Sequence, residues 1–230
     1  MKYPWNKPFP NIPTLEIFHT TRDSLAFISI KRLLDIIISA VALLCFIPVG
    51  IVIAFAIKFE DHGPIIYVSE RIGKGGRAIK FYKFRSMTVD AEKNIKKLLK
   101  YNERNDGPLF KMKKDPRITK VGKILRKYSL DEVPQLINVL KGDMSIVGPR
   151  PHLPEEVKAY KGTDYLRLEC MPGIVCLPQI NGRNYLSFRK WVDYDLQYRQ
   201  NWSVILDLKI MFQTVRLLLT PFFSKGDHGF

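Results

Sequence analysis

Between Ile36 and Ile57 the chain runs for 22 residues without a charge, and only Ser39, Pro48 and Gly50 interrupt its apolar character. An uncharged stretch of that length suits a helix through a hydrocarbon core about 30 Å thick. Pro48 divides it into two pieces, each too short to cross alone, because an internal proline removes a helix hydrogen bond and clashes with the carbonyl four residues back. Lys31 and Arg32 precede the stretch and a heavily basic remainder follows it, so the positive-inside tendency places both flanks on one side of the membrane. A re-entrant helix over 31–58, broken at Pro48, satisfies both flanks, whereas a straight span satisfies one. Asp35, just inside the entry, is expected to pair with Lys31 or Arg32.

The rest of the chain must therefore be a domain carried at a membrane surface. The formal charge of +15 points to anionic partners such as phosphates or acidic lipid. Three cysteines without framework spacing and four scattered histidines exclude a disulfide scaffold, a zinc cluster and a histidine-centred active site. Residues 1–30, with Pro4, Pro8, Pro10 and Pro13 among aromatics, read as an arm at the membrane interface rather than a secretory leader.

Beyond Gly63-Pro64, two strands near Ile65–Ser69 and Ile79–Phe84 flank the turn glycines Gly73, Gly75 and Gly76. This is either an ordinary hairpin or, with Lys83 and Arg85 projecting from it, a phosphate cradle. Ala91–Tyr101 has the pattern of an amphipathic helix whose basic face rests on anionic headgroups or in solvent. A short helix over Val121–Tyr128, a buried strand over Met144–Val147 and a strand over Ile174–Ile180 follow. Two helices, Phe188–Tyr198 and Val204–Leu219, complete the pattern.

Adjacent carboxylates stand in the run Arg126-Lys127-Tyr128-Ser129-Leu130-Asp131-Glu132-Val133-Pro134-Gln135-Leu136. Ser129 and Glu132 have capping-box spacing ahead of an apolar run, which predicts a helix over Asp131–Leu140 with both acids in its first turn. A helix start favours an ionised carboxylate and also an approaching phosphate, so the window reads as a cap or as a catalytic site. Pro134 fits the first turn if Asp131 is the cap, and costs a backbone bond if Ser129 is. Further on, Gly148-Pro149-Arg150-Pro151 holds Arg150 on a stiff backbone, which suits phosphate recognition.

Together these runs resemble the bacterial sugar transferases, the monotopic polyprenyl-phosphate phosphoglycosyl transferases. The likeness is carried by Lys83-Phe84-Arg85-Ser86-Met87, Asp115-Pro116-Arg117-Ile118-Thr119, Ser129 through Ser145, Gly148-Pro149-Arg150-Pro151 and Asn201 through Lys209, within about residues 29–220. The resemblance implies transfer of a sugar-1-phosphate from a UDP-sugar to undecaprenyl or another polyprenyl phosphate, at the cytoplasmic face of the bacterial inner membrane. It implies Asp131 as the nucleophile of a covalent phosphosugar intermediate and Glu132 as a ligand, with Asp131, of Mg²⁺. Arg126 and Arg150 are the implied phosphate binders, and Lys83, Arg85, Arg117 and Arg183 further substrate-binding candidates. Membrane lipids are implied partners, nucleic acid is not, and a homodimer is among the assemblies allowed. Sharing one metal between helix neighbours about 100° apart requires an irregular first turn.

The chain departs from the family pattern at Ile47, where relatives often carry Ser, and at Met171, Val175, Cys176 and Pro178, which bears on donor specificity. The segment Asn105–Lys111 resembles longer members that move hexose-1-phosphates, making glucose or galactose the expected sugar. The expected fold is α+β: mostly helical, with a short β-hairpin and a Pro-broken re-entrant helix. The expected divisions are an arm over 1–30, the re-entrant helix over 31–58, a catalytic domain over 59–220 and a tail over 221–230. The competing reading is a non-catalytic, membrane-tethered basic module binding anionic lipid or nucleic acid.

Overall fold

A computed structural model describes residues 25–103, 106–110, 112, 114–182 and 185–223. Most of the expected arm and tail, and with them Arg183 and Asn105, lie outside the described residues. The chain is α+β. Its first element, helix α1 (Leu25–Asp61), contains Pro48 without being broken by it. The expected break at Pro48 is not confirmed. One proline deletes a single i to i−4 bond at a cost of roughly 3 kcal/mol, and the rest of a 37-residue helix carries through it.

Both ends of α1 nonetheless grip the same domain. Near its start, Arg32 donates from Nη1 to Val139 O at 2.5 Å and from Nη2 to Leu140 O at 2.9 Å. Asp35 accepts from Ile146 N at 3.1 Å, and Lys31 pairs with Asp207 at 2.5 Å. The expected Asp35 pairing with Lys31 or Arg32 is thus replaced: a buried carboxylate is satisfied by a strand amide instead. Near its end, Glu60 accepts from Lys120 N at 2.6 Å and Val121 N at 3.1 Å, and Asp61 pairs with Arg85. Between these anchors Ile53 and Ile57 pack with Phe84 and Leu125. Its other faces, including Leu33, Ile37, Val41, Leu44, Val52 and Phe55, are exposed.

The hairpin forms as expected and reaches further. Strand β1 (Ile66–Ile72) pairs antiparallel with β2 (Ala78–Phe84), from Ile66 opposite Phe84 to Ile72 opposite Ala78. Gly75 and Gly76 turn the corner at φ of 65° and 75°. The basic helix expected over Ala91–Tyr101 is only α2 (Ile95–Leu98) and a 3₁₀ turn at Leu99–Tyr101. Helix α3 (Lys120–Lys127) starts at Thr119, whose side chain accepts from Gly122 N. A Cβ on Gly122 would stand 2.0 Å from Ser86 O, so only glycine lets α3 lie this close to the chain after β2.

After α4 (Gln135–Lys141), strand β3 (Ser145–Val147) pairs in parallel with β4 (Gly173–Val175). Between them lie α5 (Pro154–Lys158) and a 3₁₀ stretch over Gly162–Glu169. The strand expected to continue to Ile180 stops at Val175 and gives way to α6 (Leu177–Ile180). Pro178 is the reason: it has no N–H for a ladder but suits a first helical turn. Helices α7 (Phe188–Asn201) and α8 (Val204–Phe223) follow. The main core joins Ile79 and Phe81 of β2, Val139 of α4, Ile146 and Val147 of β3, Tyr198 of α7 and Ile210 of α8. It places β2, α4 and the loop after β3 side by side, with the adjacent carboxylates at their junction.

Candidate active site

Helix α3 ends at Tyr128, and Ser129 then takes a left-handed conformation with φ 55° and ψ 22°. Its side chain caps nothing, which corrects the capping box expected from Ser129 and Glu132. The backbone instead tightens into a 3₁₀ turn over Leu130–Glu132, with Glu132 N donating to Ser129 O at 3.2 Å. Pro134 occupies the N-cap position of α4, where its missing N–H is no loss. The predicted continuous helix over Asp131–Leu140 is therefore a turn followed by a seven-residue helix. The carboxylates precede that helix and are held by side chains rather than by its first turn.

The irregular turn lets both acids meet one cation. Lys83 Nζ, from β2, lies 3.3 Å from Asp131 Oδ2 and 2.8 Å from Glu132 Oε1. Arg150 Nη2 lies 2.9 Å from the same Glu132 oxygen. Burial alone would raise the Glu132 pKa, but the Arg150 guanidinium and Lys83 ammonium together hold it well below the usual carboxylate range. Glu132 in turn holds Arg150 above its ordinary value against burial. Arg126, from α3, donates its Nε to Ser86 Oγ at 2.9 Å. Burial pushes its pKa down, and the nearby Asp131 charge opposes that shift.

The other expected cations are engaged elsewhere. Arg85 is buried against Asp61 of α1. Arg117 chelates Asp115, with Nε at 2.9 Å from Oδ1 and Nη2 at 2.6 Å from Oδ2, and stands over the Phe110 ring. In these positions one ties the membrane helix to the domain and the other folds a loop.

Arg71 is a cation the sequence reading passed over. It extends from β1 over the Phe81 ring, 5.4 Å from its centroid, while Lys83 stands 5.7 Å from the same centroid. Its Nη1 lies 3.7 Å from Glu156 Oε2. Burial pushes its pKa down, Glu156 opposes the shift and the Arg150 charge adds to it. The signal was present in the hairpin register, because positions 71, 81 and 83 alternate onto one face.

Among the described residues no cluster of three or more carboxylate, histidine or cysteine side chains could cage a metal. Asp131 and Glu132 are two adjacent carboxylates, the hard oxygen donors of which Mg²⁺ takes one or two while substrate phosphates complete its shell.

The structure thus joins a domain to a long apolar helix and sets two acids among cations. Residues 26–221 match the model of the family described as bacterial sugar transferase, and the chain belongs to that family. It is 47% identical over 192 residues to the galactosyl transferase CpsE of Streptococcus agalactiae serotype III, covering 82% of this chain and 42% of that protein. It is 40% identical over 188 residues to the exopolysaccharide production protein ExoY of Rhizobium meliloti, covering 80% of this chain and 83% of ExoY. It is 41% identical over 194 residues to the UDP-glucose:undecaprenyl-phosphate glucose-1-phosphate transferase of Escherichia coli K12, covering 81% of this chain and 39% of that enzyme. The chain thus spans about two fifths of some of these relatives and most of ExoY.

Proposed function

We propose that this protein transfers a hexose-1-phosphate from a UDP-hexose to a polyprenyl phosphate, through a covalent phosphosugar on Asp131. The observation that carries the reading is the sharing of Lys83 between Asp131 and Glu132, with Arg150 on Glu132. A carboxylate attacking a diphosphate meets like-charge repulsion, and fixed cations around it relieve that repulsion without reorganising during the reaction.

In the first step an Asp131 carboxylate oxygen attacks the phosphorus that bears the sugar. The bond from that phosphorus to the bridging oxygen breaks, and the electron pair leaves with UMP. In the second step an oxygen of the polyprenyl phosphate attacks the same phosphorus, and the Asp131 carboxylate is released. Lys83 neutralises the paired acids, Arg150 anchors Glu132 and faces the incoming phosphate, and Arg126 supplies positive charge from the α3 side. Asp131 and Glu132 would hold Mg²⁺ with the donor bound, and the ion would supply further neutralisation of the diphosphate.

The names of several relatives support the substrates: UDP-glucose and undecaprenyl phosphate for the E. coli enzyme, and galactose phosphotransfer to undecaprenyl phosphate for a Salmonella typhimurium relative 41% identical over 199 residues. Helix α1 supports a membrane location, since its exposed apolar faces suit lipid while both its ends join the catalytic domain. We place that domain at the cytoplasmic face of the bacterial inner membrane. The deciding experiment incubates the membrane-extracted protein with a UDP-sugar panel, undecaprenyl phosphate and Mg²⁺ and measures UMP. UDP-glucose or UDP-galactose should give turnover that Asp131→Asn abolishes. Equal release by both proteins removes Asp131 as nucleophile, and silence across the panel favours a non-catalytic basic module.

A further inference from the structure

Pro149 to His152 form a stretch in which four consecutive carbonyls are each held from outside it. Gly173 N donates to Pro149 O at 2.9 Å, Arg167 Nη2 to Arg150 O at 3.1 Å, Arg71 Nη1 to Pro151 O at 3.5 Å, and Ile72 N to His152 O at 2.9 Å. The two prolines lack N–H groups, so the stretch cannot brace itself with a ladder of its own. The packing beneath it is close: a Cβ on Gly173 would stand 2.1 Å from Gly148 N. Of the four donors, only Arg167 acts on Arg150 itself.

Arg167 is 2% exposed, and both terminal nitrogens of its guanidinium are engaged. Its Nη1 donates to Tyr160 Oη at 2.5 Å and lies 2.7 and 2.8 Å from the two ring nitrogens of His152. Its Nη2 pairs with Asp195 of α7, which is 1% exposed. Tyr160 Oη also lies 2.6 Å from His152 Nδ1. A buried ion pair of this kind is weak as a source of stability, since desolvation offsets its attraction. Here it fixes a planar fork in one orientation, and one prong of the fork ends on the Arg150 carbonyl.

We propose that Arg167 is a positioning residue of the transfer reaction. Held by Asp195, Tyr160 and His152, it fixes the backbone of Arg150 and thereby sets the Arg150 guanidinium beside Glu132 and the transferred phosphate. The proposal rests on the function given above. Arg167 touches no substrate; it acts through Arg150 alone.

Arg167→Lys keeps a cation opposite Asp195 but loses the fork. The expected result is a fall of about 10–100-fold in kcat for UMP release, with kcat/KM falling in step, as for other supporting contacts behind a reacting group. Amide hydrogen exchange at Gly173 and Ile72, whose N–H groups hold the neighbouring carbonyls, should accelerate in the same variant without any donor present. Arg199→Ala is the control, because it removes the contact from Arg199 Nε to Glu169 at 2.7 Å on the adjoining scaffold. It should lower the melting midpoint and leave kcat unchanged.

An Arg167→Lys variant with kcat within about twofold of the wild type overturns the proposal. So does an Arg199→Ala variant whose kcat falls along with its midpoint, since that makes general destabilisation the cause. Should Arg167→Lys fail to fold, Tyr160→Phe removes one restraint on the fork at lower cost. Its kcat should fall in the same direction, and an unchanged value rejects the proposal. Loss of turnover in Arg150→Ala alongside normal Arg167→Lys leaves the transferase reading standing while this inference falls.

Discussion

Arg150 Nη2 and Glu132 Oε1 are 2.9 Å apart, and Lys83 Nζ is 2.8 Å from that same oxygen. One carboxylate oxygen thus takes two cations, and the turn that carries Glu132 is fixed to β2 and to the loop after β3 at once. The energy of the site is therefore shared rather than pairwise.

Lys83→Met should leave Glu132 short of one partner and destabilise the protein by about 3 kcal/mol, the lower end of the cost of breaking a buried pair. Glu132→Gln in the same background should recover part of that loss, so the double variant is less destabilised than the sum of the singles. Denaturant unfolding of the four proteins measures the coupling. Strict additivity would mean that Lys83 and Glu132 do not support one another.

Stability should respond to acid through Glu132. Its folded pKa is depressed by Arg150 and Lys83 below that of the unfolded chain, so its contribution is present above the unfolded value of about 4.3 and is lost as pH falls from there toward the folded pKa. Melting midpoints between pH 7 and pH 3 should therefore fall more steeply for the wild type than for Glu132→Gln. Parallel curves would remove Glu132 from the acid response. Down to pH 5 Glu132 stays ionised, so any loss of turnover between pH 7 and pH 5 arises from another group, and replacing that group should change the profile while Glu132 is left intact.

Ser129 is left-handed at φ 55° without a side-chain bond to compensate. That conformation costs an L-residue roughly 1–2 kcal/mol, more than the entropy glycine adds to the unfolded chain. Ser129→Gly should raise stability by about 0.5–1 kcal/mol, and Ser129→Val should lower it, as read by thermal unfolding. Destabilisation by glycine would show that the serine hydroxyl matters there.

These outcomes separate what could be read from the residues and what could not. The long apolar helix, the hairpin and the adjacent acids were legible because periodicity and glycine placement are local. The Ser129 cap was misread because a tertiary demand prevailed: Asp131 and Glu132 both reach Lys83, and a 3₁₀ turn achieves that where a capped α-helix does not. Arg85 and Arg117 stood in the sequence as further substrate-binding candidates behind Arg126 and Arg150. What distinguishes them is the carboxylate each one meets, and Asp61 lies 24 residues from Arg85. Asp115 is only two residues from Arg117, a pairing that spacing alone could have suggested. Arg167 and Asp195, 28 residues apart, gave no local sign of belonging together.

Topology has its own test. Single cysteines introduced at Leu25 and at Asp90, on a background lacking the native three, should respond alike to a membrane-impermeant maleimide: both shielded in intact cells and both labelled in inverted vesicles. Labelling of one site alone from either side would establish a spanning α1 and separate its start from the domain.

The grip on both ends of α1 also has a consequence in time. Arg32 finds its carbonyl partners 107 and 108 residues further along, Asp35 its amide 111 residues on, and Lys31 its carboxylate 176 residues on. At synthesis rates of roughly 5–20 residues per second, the apolar helix leaves the ribosome about 5–35 s before all the partners of its polar entrance exist. During that interval Lys31, Arg32 and Asp35 must be kept hydrated at the bilayer edge. With α1 placed in the membrane as proposed above, the helix is seated in lipid first and latched afterwards, and a ribosome stalled before residue 139 would leave an inserted but unlatched anchor.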